Sequence, residues 1–498
     1  MNSNIFKTVI ALLMKLAIPF SILLITLIWS LHLFVELGSD FGFYYATSYF
    51  LSDEYLLYKE AFTHKGPLYF IFIKSIGGII GWGYIQSYVT LVITALCFYL
   101  PIIYILYKKA YKNTNKFIII FISIALLYKQ DTNLSISLLQ SGLLIMSFYF
   151  LLESLRNVNG NFYVFSVVFF ALAVLVRIDA AVYSPAFLVA LIFMYQNDIK
   201  VISILKIAVT SIIGLVLPFI ACLYYLDFSL QDFVIHNVDF NAYYKNDNLI
   251  KMIFRPLHFS LLMSNGLILF FLYLIVYLTT DPPFFSLKNN FKKFNLDRAQ
   301  FLLAILLIVL GFILWIISHS DTNYHVFFIV TPLVFFISFF GGVKDISTKV
   351  FLLALPILLY VVMLTVSDGL RVILKKPQCI NNYLCQESDA YSYMKTIDGM
   401  KNKENPSIIG GIGWLYFFSD TKPKGPINNW FLYQRQIPFI TKAQLDAHNE
   451  LINQPSGYEF WIYTDFLNGD ERSKYLKQIL TISSPVYDEG DWTRYKIK

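Results

Sequence analysis

Two short stretches near the N-terminus carry residues that could do chemistry. In the first, Asp40 directly follows an apolar segment and lies between Leu37 and an aromatic-rich run at residues 41–45. These neighbours would partly desolvate the carboxylate and so favour a role as a general base. The alternative is a solvated loop carboxylate without a role. We take the functional interpretation of Asp40, with Glu36, four residues earlier, as a weaker candidate.

The second stretch is the sequence His64-Lys65-Gly66-Pro67. A proline in the first turn of a helix, with a glycine before it, indicates a tight turn into that helix. Such a turn would direct Lys65 and the first backbone N–H groups of the helix to one place, which suits a phosphate. The alternative is a lysine that snorkels from an interfacial helix towards the lipid headgroups.

Other ionisable residues lie between apolar segments. Arg177 and Asp179 fall at one such junction, where a functional role and a structural salt bridge are both open. His319, Asp321 and His325 lie in a polar turn that could bind a metal, but the two histidines are six residues apart and no i, i+4 pair on a helix supports the site. We therefore assign no metal ligand and no certain cofactor, and a divalent metal stays open.

The composition places these residues in a membrane protein. Of the 498 residues, 57% are hydrophobic and 14% are charged, and the mean hydropathy is +0.60. A soluble domain of this size would need far more surface charge. The net charge of +7 comes from Lys and Arg spread over short loops, which gives no basic face for nucleic acid. The sequence contains no Walker loop, dinucleotide fingerprint or nucleophile elbow.

Eleven apolar segments predict transmembrane helices. The first is expected to stay on the protein, because no small-residue cleavage site follows it. Residues 67–82 are apolar but contain Lys74 and several glycines, so they predict a re-entrant or surface-lying helix. The predicted spans are 16–36, 84–107, 117–129, 135–155, 162–177, 180–196, 201–226, 259–280, 299–318, 326–341 and 350–367.

The basic residues between the spans predict the orientation. Lys and Arg occur in every loop that would be cytoplasmic if the N-terminus is inside, so we expect a cytoplasmic N-terminus and an outer tail. The predicted outer loops are 37–83, 129–134, 178–179, 227–258 and 319–325. Outer loops should be poor in Lys and Arg, yet some basic residues lie there. The simplest reason to keep them is that they bind an anionic group, and the alternative is that they anchor the protein to lipid headgroups. They are Lys59, Lys65, Lys129, Arg177, Lys245, Lys251 and Arg255.

The tail after residue 367 changes character, because polar residues return and apolar runs shorten to strand length. Residues 407–410, 414–418 and 458–463 predict strands, and Ser388 with Asp389 predicts a helix start. The fold class is therefore a polytopic α-helical membrane protein of about eleven helices with a small C-terminal α/β domain. The expected domains are 1–367 and 368–498. If the tail lies outside, Cys379 and Cys385 could form a disulfide.

The order of these features resembles a known family. An Asp lies in the first outer loop, Tyr58 begins a Tyr-x-acid-x-Phe-x-basic-Lys-Gly-Pro-Leu-like run ending at Leu68, many spans follow, and Tyr324-His325 precedes an apolar helix containing proline. This is similar to the GT-C fold glycosyltransferases, in particular glycosyltransferase family 39 and the aminoarabinose-transferase-like, protein-mannosyltransferase-related group. The resemblance covers most of the membrane region.

The resemblance implies an inverting transfer of a sugar from a polyprenyl-phosphate donor on the non-cytoplasmic face. It implies that Asp40 is the general base and that Lys65 holds the lipid phosphate. Tyr324 and His325 match the Tyr-containing turn near the donor. Glu60 stands where many relatives have Asp. Phe41 replaces the second acid of the protein mannosyltransferases, which favours a glycan or lipid acceptor over a protein.

We expect a bacterial inner-membrane enzyme whose partners are the polyprenyl-phosphate sugar, a glycan or glycolipid acceptor such as O-antigen or lipopolysaccharide, and membrane lipids. A transporter or flippase of lipid-linked oligosaccharide is the alternative from another class, and a polysaccharide polymerase is a third. A transporter usually places charges at the bilayer midplane, whereas here they collect at one face. The candidate residues are Asp40 for catalysis; Lys65, Arg177 and Arg255 for the donor phosphate; and Glu60, His64, Tyr324 and His325 for donor or acceptor.

Overall fold

A computed structural model describes part of the chain. The described residues are 39–51, 56–58, 63, 65–109, 135–157, 159–196, 201–228, 230–239, 296–317, 327–340, 400, 407–409, 442–463, 467, 473–488 and 492–498.

The chain divides into two compact units. Of the described residues, those between 91 and 219 and between 296 and 340 belong to the first unit, and those between 39 and 90, between 220 and 239 and between 400 and 498 belong to the second.

Long apolar helices make up the first unit. They are α3 (Tyr84–Lys109), α4 (Ser135–Asn157), α5 (Gly160–Val176), α6 (Ser184–Gln196), α7 (Val201–Leu226), α9 (Leu296–Ile317) and α10 (Phe327–Phe340), with a 3-10 helix at Ile178–Tyr183 before α6. The first residues of α3, 84–90, and the last residues of α7, 220–226, belong to the second unit. The Asn159 side chain accepts a hydrogen bond from the Asn161 N–H and so caps the start of α5. Helix α4 is buried along most of its length. Gly142 lets α4 approach α3, since a Cβ there would collide with the Cys97 carbonyl.

These helices confirm seven of the predicted apolar segments to within about one helical turn. Among the described residues, 135–157, 178–196 and 201–226 are long and apolar enough to cross a membrane, and 67–80, 89–105, 160–176 and 299–315 are shorter apolar helices. The predicted spans 16–36, 117–129, 259–280 and 350–367 lie outside the described residues, so the count of eleven stays a prediction.

Two helices occupy what the sequence predicts as the first outer loop. Helix α1 (Ser39–Phe50) includes Asp40 in its first turn, so the expectation that Asp40 lies in a loop is wrong. Helix α2 (Pro67–Ile80) matches the predicted helix at 67–82. It starts at Pro67 after an extended Gly66 and ends at Gly81, whose φ of 89° favours glycine and whose N–H bonds to the Gly77 carbonyl.

A short helical segment belongs to the second unit, as α1 and α2 do. Helix α8 (Leu230–Val234) continues directly into a π-helical turn at Ile235–Asp239. Both lie in the predicted outer loop 227–258, where the sequence predicts no helix.

The C-terminal residues form a four-stranded sheet with two helices. The strands are β1 (Ile408–Ile409), β2 (Glu459–Tyr463), β3 (Ser483–Asp488) and β4 (Trp492–Ile497), and the helices are α11 (Lys442–Ile452) and α12 (Lys474–Ile482). The strand order is β1-β2-β4-β3, with β1 parallel to β2 and the other pairs antiparallel. Phe460, Ile462, Leu476 and Ile479 share one buried core. Strands β1 and β2 match predicted strands, whereas residues 379–389 and 414–418 lie outside the described part.

Candidate functional site

Helices α1 and α2 pack against each other. The Tyr44 ring contacts those of Tyr69 and Phe70, with centroids 5.4 Å and 5.9 Å apart. Just after the last residue of α1, the Leu51 carbonyl accepts a hydrogen bond of 2.8 Å from the Lys74 ammonium of α2.

The turn after α2 also contacts α1. The Tyr45 hydroxyl donates to the Gly83 carbonyl at 2.8 Å and accepts from the Gly83 N–H at 3.0 Å. The α1 helix is therefore held both by α2 and by the turn that follows it.

Two predicted site positions lie at the starts of these helices. Asp40 is the second residue of α1, and Lys65 lies two residues before the first residue of α2. The structure describes the backbone of Asp40. Because a helix N-terminus carries exposed N–H groups and a partial positive charge, the start of α2 favours a negatively charged group nearby.

Lys65 is held in place by its own backbone. Its N–H donates to the Thr63 hydroxyl oxygen at 3.2 Å, and its carbonyl accepts a hydrogen bond of 2.8 Å from the Tyr58 hydroxyl. The residue is only 5% exposed. A lysine buried to this degree does not fit the snorkelling alternative, in which the ammonium extends to the headgroups.

Tyr58 is the centre of the contacts around the Lys65 turn. It is 1% exposed and its ring contacts Phe228, Phe233 and His236, with centroids 5.0, 6.2 and 5.2 Å away. Its backbone φ is 67°, a left-handed conformation that is rare outside glycine. Burial raises the pKa of the Tyr58 phenol far above its usual value. The hydroxyl therefore keeps its proton and donates a hydrogen bond to the Lys65 carbonyl.

His236 and Asn237, in the π-helical turn, complete this cluster, and both are buried. The Asn237 side chain interacts with the Tyr58 hydroxyl and offsets part of the effect of burial on the phenol's pKa. Its amide nitrogen also donates to the Phe233 carbonyl at 3.2 Å. His236 hydrogen bonds to the backbone of Thr63 and of Tyr58, while burial lowers its pKa to about 4. The imidazole is therefore neutral at pH 7.

Sequence reasoning missed His236 and Asn237. The available signal was two adjacent polar residues within a predicted outer loop. Nothing in their spacing indicates that they meet Tyr58, which is far away along the chain.

Lys74 supports the same helix pair. Besides its bond to the Leu51 carbonyl, its ammonium lies 5.8 Å from the centre of the Tyr225 ring, a cation–π arrangement. Lys74 therefore links the end of α1 to the end of α7.

Arg177 and Asp179, in the first unit, form a buried ion pair. The Arg177 guanidinium lies 2.6 Å from the Asp179 carboxylate and donates to the Ser137 hydroxyl at 3.0 Å. Gln140 donates to the same carboxylate at 2.8 Å and to the Arg177 carbonyl at 3.2 Å. These contacts favour the structural salt bridge over the phosphate-binding role, since a phosphate would have to compete with Asp179.

The remaining candidates fall outside the described residues. They are Glu60, His64, Arg255, Tyr324, His325, Cys379 and Cys385, together with His319 and Asp321. Among the side chains that the structure does describe, no three His, Cys, Asp or Glu residues are grouped in a way that could hold a metal ion.

The fold is the GT-C fold of ArnT, which agrees with the fold that the resemblance drawn from the sequence implies. The protein is similar to ArnT from Cupriavidus metallidurans bound to undecaprenyl phosphate, with a TM-score of 0.58 and 12% identity over 96% of this chain and 97% of that one. The apo state of the same protein gives a TM-score of 0.57 and 10% identity over the same shares. At such low identity the likeness establishes the fold alone. No family model and no curated protein matches the sequence.

Proposed function

We propose that this protein is an inverting glycosyltransferase that moves a sugar from a polyprenyl-phosphate donor to a glycan or lipid acceptor of the cell envelope. The observation that supports the proposal is that α1, with Asp40 in its first turn, packs against α2, which begins two residues after Lys65. A similar structure, that of ArnT, was solved with undecaprenyl phosphate, which supports a polyprenyl phosphate as the donor's lipid part.

The chemistry requires a base and a cation close together. The bond between the sugar's anomeric carbon and the phosphate oxygen breaks, and a bond from that carbon to the acceptor oxygen forms. The acceptor hydroxyl gives its proton to the Asp40 carboxylate, which later releases it to water. Negative charge grows on the departing lipid phosphate, where the Lys65 ammonium and nearby N–H groups would stabilise it.

We assign the other roles as follows. Arg255 is a further candidate for the donor phosphate, and Glu60, His64, Tyr324 and His325 are candidates for contacts with donor or acceptor. Arg177 is assigned to the buried ion pair with Asp179 rather than to the phosphate, because its guanidinium already bonds that carboxylate.

The proposal includes a location. The protein would lie in a bacterial inner membrane with its N-terminus in the cytoplasm, residues 1–367 as the catalytic membrane domain, and residues 368–498 as an extracytoplasmic α/β domain. The acceptor would be an O-antigen, lipopolysaccharide or related envelope glycan. Cys379 and Cys385 would then meet an oxidising compartment and could pair.

One assay separates this function from a transporter. Purified protein in liposomes receives a polyprenyl-phosphate sugar and a candidate acceptor, and both released polyprenyl phosphate and movement of the donor between leaflets are measured. Release that depends on the acceptor supports the transferase. Donor movement without release would establish the flippase alternative and overturn the proposal.

A further inference from the structure

The Lys65 turn is tied down by residues from a distant part of the chain. The Tyr58 hydroxyl donates to the Lys65 carbonyl at 2.8 Å, and the Tyr58 ring packs on Phe233 and His236. Asn237, which interacts with the same hydroxyl, donates to the Phe233 carbonyl of α8 at 3.2 Å. A chain of contacts therefore leads from the α8 segment to the backbone of Lys65.

Aromatic packing holds Tyr58, at the centre of these contacts, in place. The Tyr58 ring meets Phe228 edge to face at 5.0 Å and lies against His236 at 5.2 Å. Its left-handed backbone, with φ of 67°, is unfavourable for a residue with a side chain and persists only where the surroundings enforce it. Such strain is typical of segments held in one functional geometry.

We propose that Tyr58 and Asn237 are positioning residues for Lys65: they fix the carbonyl of the residue that meets the donor's phosphate and thereby set the affinity for that phosphate. This inference rests on the proposed function, which gives Lys65 the phosphate. The Tyr58 hydroxyl bonds the backbone carbonyl of Lys65. It therefore acts by fixing the position of the backbone from which the Lys65 side chain extends. A pre-organised cation binds its anion more tightly, because less ordering is left to occur on binding.

The test measures equilibrium binding of undecaprenyl phosphate to purified full-length protein in detergent, independently of turnover. Tyr58→Phe keeps the ring and its aromatic contacts but removes the donor to the Lys65 carbonyl. We expect the dissociation constant to rise about tenfold, the effect of losing one buried hydrogen bond. Lys65→Met is the reference for loss of the cation itself, and should weaken binding further.

Tyr163→Phe is the matched control. Its hydroxyl also donates to a backbone carbonyl, that of Phe187 at 3.1 Å, and the residue is likewise buried but belongs to the first unit. This variant should lose thermal stability much as Tyr58→Phe does, yet keep the wild-type dissociation constant. If Tyr58→Phe also keeps it and loses only stability, the hydroxyl is merely structural and the inference is overturned.

Asn237→Ala gives a second route if Tyr58→Phe folds poorly. Because Asn237 is proposed to act through the Tyr58 hydroxyl, the two substitutions together should weaken binding no more than the larger single effect. If the two substitutions weaken binding additively, Asn237 does not act through the Tyr58 hydroxyl.

The controls also separate this inference from the proposed function. Wild-type protein that fails to bind undecaprenyl phosphate, or that binds it equally well after Lys65→Met, would refute the proposed function. Wild-type binding that depends on Lys65 but not on Tyr58 would refute this inference alone.

Discussion

The rings of Tyr44 and Tyr69 meet edge to face with centroids 5.4 Å apart, and each stands four residues after a position assigned to chemistry, Asp40 and Lys65 respectively. Edge-to-face packing of two buried rings contributes beyond the area that it buries. The pair therefore helps to hold α1 against α2, and we expect it to keep the two chemical positions near each other.

Cross-linking should detect this alignment. In a variant whose four native cysteines are replaced by serine, Asp40→Cys with Lys65→Cys should cross-link efficiently with a short bismaleimide. Asp40→Cys with Ile80→Cys is the control, because Ile80 is the last residue of α2 and lies about 20 Å further along its axis. Preferential cross-linking of the 40/80 pair would contradict the nearness of positions 40 and 65.

Loss of the cation at Lys65 should be specific. Lys65→Met is expected to lower kcat/KM for the polyprenyl-phosphate donor by about fiftyfold, in keeping with loss of charge-assisted hydrogen bonds to phosphate. Lys74→Met is the control, because it also removes one lysine charge, but from within α2. It breaks the hydrogen bond to the Leu51 carbonyl, so it should lower the thermal midpoint more than the donor affinity. Equal kinetic effects of the two variants would contradict a phosphate role for Lys65.

The sequence predicts some of these features and not others, for physical reasons. Gly66-Pro67 predicts the start of α2, because that pair specifies local backbone geometry. Apolar length predicts the helices of the first unit. Helix α1 escapes prediction, since residues 39–50 are aromatic and weakly patterned. The contact of Tyr58 with Asn237 also escapes, because it joins distant segments and depends on how the chain packs as a whole.

Arg177 and Asp179 allow the ion-pair assignment to be tested. Arg177→Met leaves the Asp179 carboxylate buried without its cation and should destabilise the protein by about 3–5 kcal/mol. Replacing both, as Arg177→Met with Asp179→Leu, should restore most of the thermal midpoint and most of the turnover. A double variant that is stable but as inactive as the single one would contradict the ion-pair assignment and support a phosphate-binding role for Arg177.

The burial of His236 should make stability depend on pH. Its pKa is lowered from 6.5 to about 4, so between these values the unfolded chain binds a proton that the folded protein does not. Stability is thus full above pH 6.5 and falls as the pH drops towards 4, by about 2 kcal/mol at pH 5. The Asp232 carboxylate opposes this shift only in part. In detergent, His236→Gln should lose less of its thermal midpoint between pH 7.5 and 5 than wild type. Equal losses would contradict a buried neutral imidazole.

The most direct measurement is the turnover of a polyprenyl-phosphate sugar by wild type and by Asp40→Asn, with undecaprenyl phosphate binding and the thermal midpoint recorded on the same samples. We expect Asp40→Asn to bind and fold as wild type does but to release polyprenyl phosphate at least about a hundredfold more slowly, the usual effect of removing a general base. Full turnover by Asp40→Asn would contradict the assignment of the base, and with it the proposed mechanism.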